Sequence, residues 1–558
     1  MRTLILPPLL FLACPMPARS EIDLLAAWQG ETAGEQFGFA LCIGGDANGD
    51  GWADVAIGSC TNDEGGENAG KVSVFFGRAN PSAEPDLEIL GVAGSFFGAA
   101  VAWAGDVNHD GYNDLLVGAY RDDQAGVNAG KAYLFLGGAP MNATPDLILV
   151  GPSAGAYFGR AVSGAGDLNR DGLADFAVGA PRTANGTVFV YFGHAPPDGT
   201  PDLLIQGLAA DDRFGSSIAG PGNVDTVSGD DLLVGAPRAS PVHYWQGSAY
   251  LFSGGAGLDA VADWSVHGLG AGDQFGSSLG AAGDVNGDGA PDLVVGAPYS
   301  NKGAVVDAGA AYLFYAGQSL DTTADFIIEG TADGENLGMS VAGCGNVTGS
   351  GFSHLLVGAP GSDVGGLDAG RIVLSPGGNP PRLGELILLD GEQAGDQFGY
   401  AVAGGAQISG LSFGGGLRPD IASGAWSHGS GGKSYVYGTR EASSVGEPRD
   451  SCARTLAVTV TPNPGGIFAF QISSSPSLAA AREGGAVGPR TLFIRIIDAS
   501  GALVRTLSAP VAEDMSGRYA ARWDGRTTHG QLVPPGVYFY SVEMNGARVD
   551  RGSMVVIR

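Results

Sequence analysis

Seven times along 558 residues a Phe-Gly pair, or in one case Leu-Gly, returns at nearly the same interval. The pairs are Phe37-Gly38, Phe97-Gly98, Phe158-Gly159, Phe214-Gly215, Phe275-Gly276, Leu337-Gly338 and Phe398-Gly399, spaced by 60, 61, 56, 61, 62 and 61 residues. A period of this length marks a repeat array, in which each supersecondary unit buries its apolar face against its neighbours. Each unit opens with a short strand such as DLEIL (86–90), DLILV (146–150) or DFIIE (325–329) ahead of its pair. After the pair come an alternating strand, an Asp/Asn/Gly-rich loop, a second strand ending in Gly-Ala-Pro or a variant, and a third strand. The third strands read GKVSVFFG (70), GKAYLFLG (130), GTVFVYFG (186), GSAYLFSG (247), GAAYLFYAG (309), GRIVLSPGG (370) and GKSYVYG (432). Short β-branched and aromatic runs bounded by Gly and Asn suit an antiparallel meander.

Four strands in each of seven copies predict an all-β, seven-bladed propeller over residues 23–438. The strand DLLAAW (23–28) precedes the first pair, and the last copy stops after its third strand. The N-terminal strand is therefore expected to complete the seventh blade and close the ring, which removes open sheet edges. Gly at 96 residues, with no triplet period and 44% hydrophobic residues, agrees with a turn-rich globular chain rather than a disordered one.

The loop after each alternating strand carries the chemistry. GDVNHDGYNDLLVGAY (105–120) places Asp106, Asn108, Asp110 and Asp114 within nine residues, and like charges this close repel. In D-x-N-x-D-G-x-x-D the side chains at positions 1, 3, 5 and 9 can converge, Gly at position 6 permits the bend, and the carbonyl at position 7 adds an oxygen. An all-oxygen donor set on a flexible loop suits Ca²⁺, which takes about 6–8 ligands, better than octahedral Mg²⁺. The ligand candidates of the four complete loops are Asp46, Asn48, Asp50, Trp52 and Asp54; Asp106, Asn108, Asp110, Tyr112 and Asp114; Asp167, Asn169, Asp171, Leu173 and Asp175; Asp284, Asn286, Asp288, Ala290 and Asp292. Trp52, Tyr112, Leu173 and Ala290 would offer backbone carbonyls, and about four Ca²⁺ ions are expected. The fourth copy keeps Asn223, Asp225 and Asp231 at altered spacing, and its site is left open. GNVTGSGFSH (345–354) has lost every carboxylate and the seventh copy retains only Asp420, so neither is expected to bind tightly. One such loop alone is equally an Asx-rich turn; four in the same register between the same strands are not. EF-hands and dockerins share the acidic pattern, but there a helix follows, whereas LLVGA and LVVGAP read as strands.

The combination of Phe-Gly, D-x-N-x-D-G-x-x-D and Gly-Ala-Pro resembles the FG-GAP repeat of integrin α-subunit propellers and their bacterial relatives. The resemblance implies a seven-bladed propeller with Ca²⁺ in blade loops and a role in extracellular adhesion or ligand recognition. Integrin-type signalling is not implied.

The remaining segments bear on compartment and organisation. MRTLILPPLLFLACPMPARS (1–20) resembles a secretory signal peptide, with a faint lipoprotein box at Leu12-Ala13-Cys14. No later apolar run approaches the ~20 residues needed to span a bilayer. Cys42, Cys60, Cys344 and Cys452 show no CxxC spacing; Cys42 and Cys60 flank the first loop and read equally as a disulfide or as two buried thiols. The net charge of −29 argues against nucleic-acid and anionic-membrane partners. From 452 onward 11 Arg face 7 Asp+Glu, a balance of +4, so residues 1–451 carry −33 and two parts with different jobs are expected. Residues 439–453 read as a linker. Residues 454–558 alternate like strands of a small Ig-like sandwich, and Trp523-Asp524-Gly525 with GVYFY (536–540) resembles the Ig-like domain of flagellar hook-capping proteins and bacterial C-terminal sorting domains. That resemblance implies export or surface attachment.

Catalytic strings fail by context. Gly276-Ser277-Ser278-Leu279-Gly280 fits G-x-S-x-G but sits in a repeat strand rather than a strand-to-helix elbow. Gly432-Lys433-Ser434 lacks the first Gly of a phosphate loop. His109, His194, His243, His267, His354, His428 and His529 share no repeat register. The sequence thus points to a secreted or cell-surface, calcium-stabilised recognition module with an extracellular protein or glycan ligand, not an enzyme. The alternatives are a propeller-based lyase or hydrolase and a carbohydrate-binding lectin; Tyr120, Tyr299 and Trp426 are scattered and do not decide between them. Oligomeric state is open.

Overall fold

The computed structural model describes residues 21–440 except 80, 228, 318–319, 379–385 and 409–417, and, further on, 456–463, 467–474, 491–498, 503–510, 518–523, 526–527, 536–544 and 547–556. Residues 1–20, Cys14, Cys452 and residues 441–453 of the expected linker lie outside the described residues. Thr439 and Arg440, also assigned to the linker, instead pair with Ile22 and Glu21 and so belong to the last strand. The chain forms two compact units, Met1–Ser443 and Ser444–Arg558.

In the first unit seven four-stranded antiparallel sheets follow one another as blades. An outer strand β1 (Glu21–Gln29) comes first; blade one is then β2 (Phe37–Gly45), β3 (Asp54–Ser59), β4 (Lys71–Phe75) and β5 (Leu87–Leu90), paired in chain order. Blades two to six repeat this order. The seventh takes Ala401–Ala406, Asp420–Ala425 and Lys433–Arg440 from the end of the unit and β1 from its start, with Trp28 opposite Ser434 and Ala27 opposite Tyr435. The ring is closed as the terminal strands imply.

The cores lie between blades. Phe97, which opens blade two, packs with Ala56, Val72, Val74 and Ile89 of blade one and with Leu115, Val117 and Phe135 of its own blade. The same arrangement recurs around the ring to the closing interface, where Trp28, Ala422 and Val436 meet Val55, Ile57 and Phe75. Second strands such as DLLVGA (Asp114–Ala119) are buried at every residue because a neighbouring blade covers each face. The repeated glycines have a steric cause. A Cβ on Gly118 would overlap the Gly159 carbonyl oxygen, and the same clash recurs for Gly58 on Gly98, Gly179 on Gly215 and, at closure, Gly424 on Gly38. The Gly of Gly-Ala-Pro is thus the surface against which the next blade's Phe-Gly turn docks.

Cys42 pairs with Ala56, and Cys60 lies beyond the end of β3, where its thiol donates to Gln36 Oε1 at 3.3 Å. Cys42, Cys60 and Cys344 are free thiols, so the disulfide reading is corrected in favour of the alternative. Burial pushes the Cys42 and Cys60 thiols up to about 12, which keeps them protonated.

The second unit has a three-stranded sheet (Leu456–Asn463, Ile467–Ser474, Arg518–Trp523) and a four-stranded sheet ordered Leu503–Pro510, Thr491–Asp498, Gly536–Met544, Ala547–Val556. This is the small Ig-like β unit expected.

Candidate functional site

Antiparallel alternation puts the loops between first and second strands at one end of every blade, so the acidic loops share one end of the ring. In blade one Asp46 Oδ1 accepts the amides of Gly49 and Asp50 at 2.8 and 3.1 Å, and its Oδ2 accepts that of Gly51 at 2.9 Å. Asn48 Oδ1 accepts the Asp50 amide, Asn48 Nδ2 donates to Asp50 Oδ2, and Asp50 Oδ1 accepts the Trp52 amide, each at 2.9 Å. All but the Gly49 bond recur for Asp106, Asn108, Asp110 and Tyr112 and for Asp167, Asn169, Asp171 and Leu173. All recur for Asp284, Asn286, Asp288 and Ala290, with Gly287 in place of Gly49. Gly51, Gly111, Gly172 and Gly289 hold φ between 88° and 92°, which a side chain would resist. Positions 1, 3 and 5 are therefore brought together at the loop tip, half-buried or exposed.

Position 9 is placed differently. Asp54 is fully buried beneath the tip; its Oδ2 accepts the Ala47 amide and its Oδ1 the Gly77 amide, both at 2.8 Å. Asp114 bridges Val107 and Gly137, Asp175 bridges Leu168 and Gly193, and Asp292 bridges Val285 and Ala316 in the same way. Each pins its own loop to the loop between third and fourth strands. Burial raises the carboxyls of Asp54, Asp114 and Asp175 to about 7 and that of Asp292 to about 6; the two amides oppose the rise, and the negative side chains of the tip add to it.

Among the described residues no group of three or more His, Cys, Asp or Glu side chains forms a ready metal-holding arrangement. The donor chemistry still fits a hard cation, since each loop offers only carboxylate, amide and carbonyl oxygens. Among the described residues none of these carboxylates is ion-paired with Lys or Arg; the ion pairs of this unit lie elsewhere. No cationic side chain among the described residues pairs with these tips.

The eroded loops keep the fold by other means. In blade four Asn223, Asp225 and Asp231 stand at positions 1, 3 and 9, so their spacing is that of the complete loops and not altered as expected. Asp231 still bridges Val224 and Gly254, and Asp225 Oδ1 accepts the Val227 amide, but nothing acidic stands at position 5. Asp230 there reaches back to accept the Asp167 amide at 2.8 Å. In blade six His354 occupies position 9, fully buried, with Nε2 2.7 Å from Thr348 Oγ1 and Nδ1 3.0 Å from the Phe352 carbonyl. Arg418 donates to the Thr348 carbonyl at 2.9 Å, so a cation from the chain itself stands over this uncharged loop. In blade seven Asp420 Oδ2 accepts the Ile408 amide at 3.0 Å.

The loops also bond to one another, which sequence reasoning missed. The carbonyl of Asp46 accepts the Asn113 amide, that of Asp106 the Ala174 amide, that of Asp167 the Asp230 amide and that of Asp284 the Ser353 amide, at 2.8–3.1 Å. At closure the Gln407 carbonyl accepts the Ala53 amide at 2.9 Å. Position 1 of each of these loops thus holds position 8 of the next blade. The visible signal is the identity of position 8, where Pro291 and Pro419 have no amide to give.

Residues 37–75, 97–135, 158–191 and 275–314 match the FG-GAP repeat, and residues 489–548 match the FlgD Ig-like domain. The four FG-GAP matches are the four blades with complete acidic loops. Integrin alpha-3 of Cricetulus griseus is 40% identical over 153 residues, 26% of this chain and 14% of the integrin. Integrin alpha-5 of Xenopus laevis is 33% identical over 219 residues, 36% of this chain and 20% of that one. The chain thus spans at most 20% of the length of these relatives. Among solved structures, PorZ, a surface component of the type-IX secretion system of Porphyromonas gingivalis, aligns over 94% of this chain and 60% of its own with 13% identity and a TM-score of 0.38, a likeness too distant to carry an argument. FG-GAP repeats build an integrin-α-like propeller here, and a FlgD Ig-like domain follows it.

Proposed function

We propose that this FG-GAP propeller is a secreted or cell-surface recognition module whose blade loops hold structural Ca²⁺, with an extracellular protein or glycan as ligand. One observation carries the reading: the acidic tips lack cationic partners while position 1 of each complete loop bonds to the next blade. In each complete loop the side-chain oxygens at positions 1, 3 and 5 and the carbonyl at position 7 would take the ion, with the position 9 carboxylate beneath them. Bound Ca²⁺ supplies charge neutralisation there; the loop then fixes a carbonyl that the neighbouring blade needs. Calcium therefore stiffens the ring rather than performing chemistry, and the exposed ends are free to bind a ligand. The integrin α relatives support an extracellular role, and no helix among the described residues is long and apolar enough to cross a membrane. The FlgD-like unit is proposed to serve export or surface attachment.

The test is thermal unfolding of the full chain with calcium and with excess chelator. Chelation is expected to lower Tm by ten degrees or more, on the order of what several lost sites imply. An unchanged melting curve would remove structural calcium from the account.

A further inference from the structure

The net charge of −29 conceals a basic stripe at the opposite end of the ring. Arg121, Arg160, Arg182, Arg213 and Arg238 flank Phe-Gly pairs or follow second strands in blades two, three and four, and antiparallel alternation puts all of these positions at the end away from the acidic loops. The Arg121 guanidinium carbon lies 4.4 Å from the Phe96 ring centre and 5.5 Å from that of Tyr120. Arg160 lies 5.5 Å from the same Tyr120, Arg182 lies 4.1 Å from Tyr157, and Arg238 lies 4.4 Å from Trp245. The rings touch in turn, Phe96 with Tyr120 at 5.9 Å and Tyr120 with Tyr157 at 5.5 Å. Arg213 joins the two halves: burial and the charges of Arg182 and Arg238 pull its pKa down, with exposed Asp211 opposing. The stripe runs into a cleft of ≈ 800 Å³ lined by Arg238, Tyr244, Trp245 and His267, with Asp211 and Asp212 also on its wall.

A further observation points to a ligand. Among the described residues none of the five guanidinium groups forms an ion pair or donates a hydrogen bond, although Arg121, Arg160 and Arg182 are exposed. The backbone amides of Arg121, Arg182 and Arg238 are already taken: they donate to the Ser95, Ala156 and Asp212 carbonyls. What remains to meet a ligand is a row of guanidinium edges, those of Arg121, Arg160, Arg182 and Arg238 steadied by aromatic faces.

We propose that this stripe binds an anionic polysaccharide, through carboxylate or sulfate groups carried at repeating intervals. Planar guanidinium groups accept such oxyanions two oxygens at a time, and cations spread over three blades match a polymer with repeated charge. An acidic polypeptide would also seek main-chain partners, and the amides of Arg121, Arg160, Arg182 and Arg238 are already bonded within the fold. The inference rests on the extracellular recognition role above and names its ligand class.

The experiment measures binding of the full chain, in calcium, to hyaluronate (carboxylate only), dextran sulfate (sulfate only), neutral dextran and polyglutamate. Hyaluronate or dextran sulfate should bind, neutral dextran should not, and affinity should fall as salt rises. Replacing Arg121, Arg160 and Arg182 together by Ala should weaken binding at least tenfold with an unchanged melting temperature. The triple Lys variant should fall between, since charge stays but the planar fork is lost. Unchanged affinity in the Ala variant overturns the proposal, as does polyglutamate binding as tightly as either polysaccharide. If no polyanion binds while calcium still raises Tm, this inference falls and the calcium-stabilised module stands. If chelation leaves Tm unchanged while the stripe still binds, the reverse holds.

Discussion

A methyl group is enough to test how the blades meet. Gly118 faces the Gly159 carbonyl so closely that Gly118→Ala must push blade three away, and overpacking of this kind costs about 1–3 kcal/mol. Gly257→Ala, with open space around its Cβ and no positive φ, should change stability by less than about 0.5 kcal/mol. Urea unfolding of both variants checks the pair; equal effects would contradict the docking argument. His354 gives a pH test. Burial holds its imidazole below the ordinary value, so the folded state resists a proton that the unfolded chain accepts. The unfolded state therefore binds more protons below about pH 6.5, and stability falls as pH drops through that range, with no contribution at pH 8. His354→Asn should be less stable at pH 8 yet lose less on acidification, read from urea midpoints at pH 8 and pH 5. A larger acid loss in the variant would contradict the assignment.

At the level of the loop, two aspartates four residues apart do different work. Asp288 lies at the exposed tip, whereas Asp292 is buried and holds two amides. Asp288→Ala should remove one calcium ion from the total and leave the chelated protein as stable as the parent. Asp292→Ala strands the Val285 and Ala316 amides and should cost about 1–3 kcal/mol even in chelator. Isothermal titration and melting in chelator separate the two; an intact stoichiometry in Asp288→Ala would count against the ligand assignment. Here the sequence was legible only in part. Spacing marked which residues share the loop, because turn chemistry is local. It did not reveal that position 9 sits below the others, because that depends on amides 23 residues away, as with Asp54 and Gly77. A second clamp escaped notice although its period is plain. Asp86, Asp146, Asp202, Asp263 and Asp325 each accept an amide ten residues earlier, tying the fourth strand to the end of the third.

For the whole molecule, closure is the property that the terminal strands carry. β1 supplies the outer strand of the last blade, and Trp28 stacks on Phe75 of blade one at 4.1 Å. Deleting residues 21–29 should expose the edge of Lys433–Arg440 and turn a single cooperative melt into a broadened, aggregation-prone one, followed by calorimetry and light scattering. Retained cooperativity would contradict closure by this strand. Blade number and order were readable in the sequence because the Phe-Gly period is a packing period. The basic stripe was not, because net charge averages over the chain and hides a local row of arginines; Tyr120 lies between Arg121 and Arg160 only once the fold brings them together. The account as a whole turns on whether the acidic ends hold cations that brace the ring. Calcium titrated into chelator-stripped protein, with bound ions counted by native mass spectrometry and Tm followed in parallel, tests this most directly. The expected result is about four ions, one for each complete loop, with Tm climbing as they bind; no bound calcium, or binding that leaves Tm where it was, would contradict it.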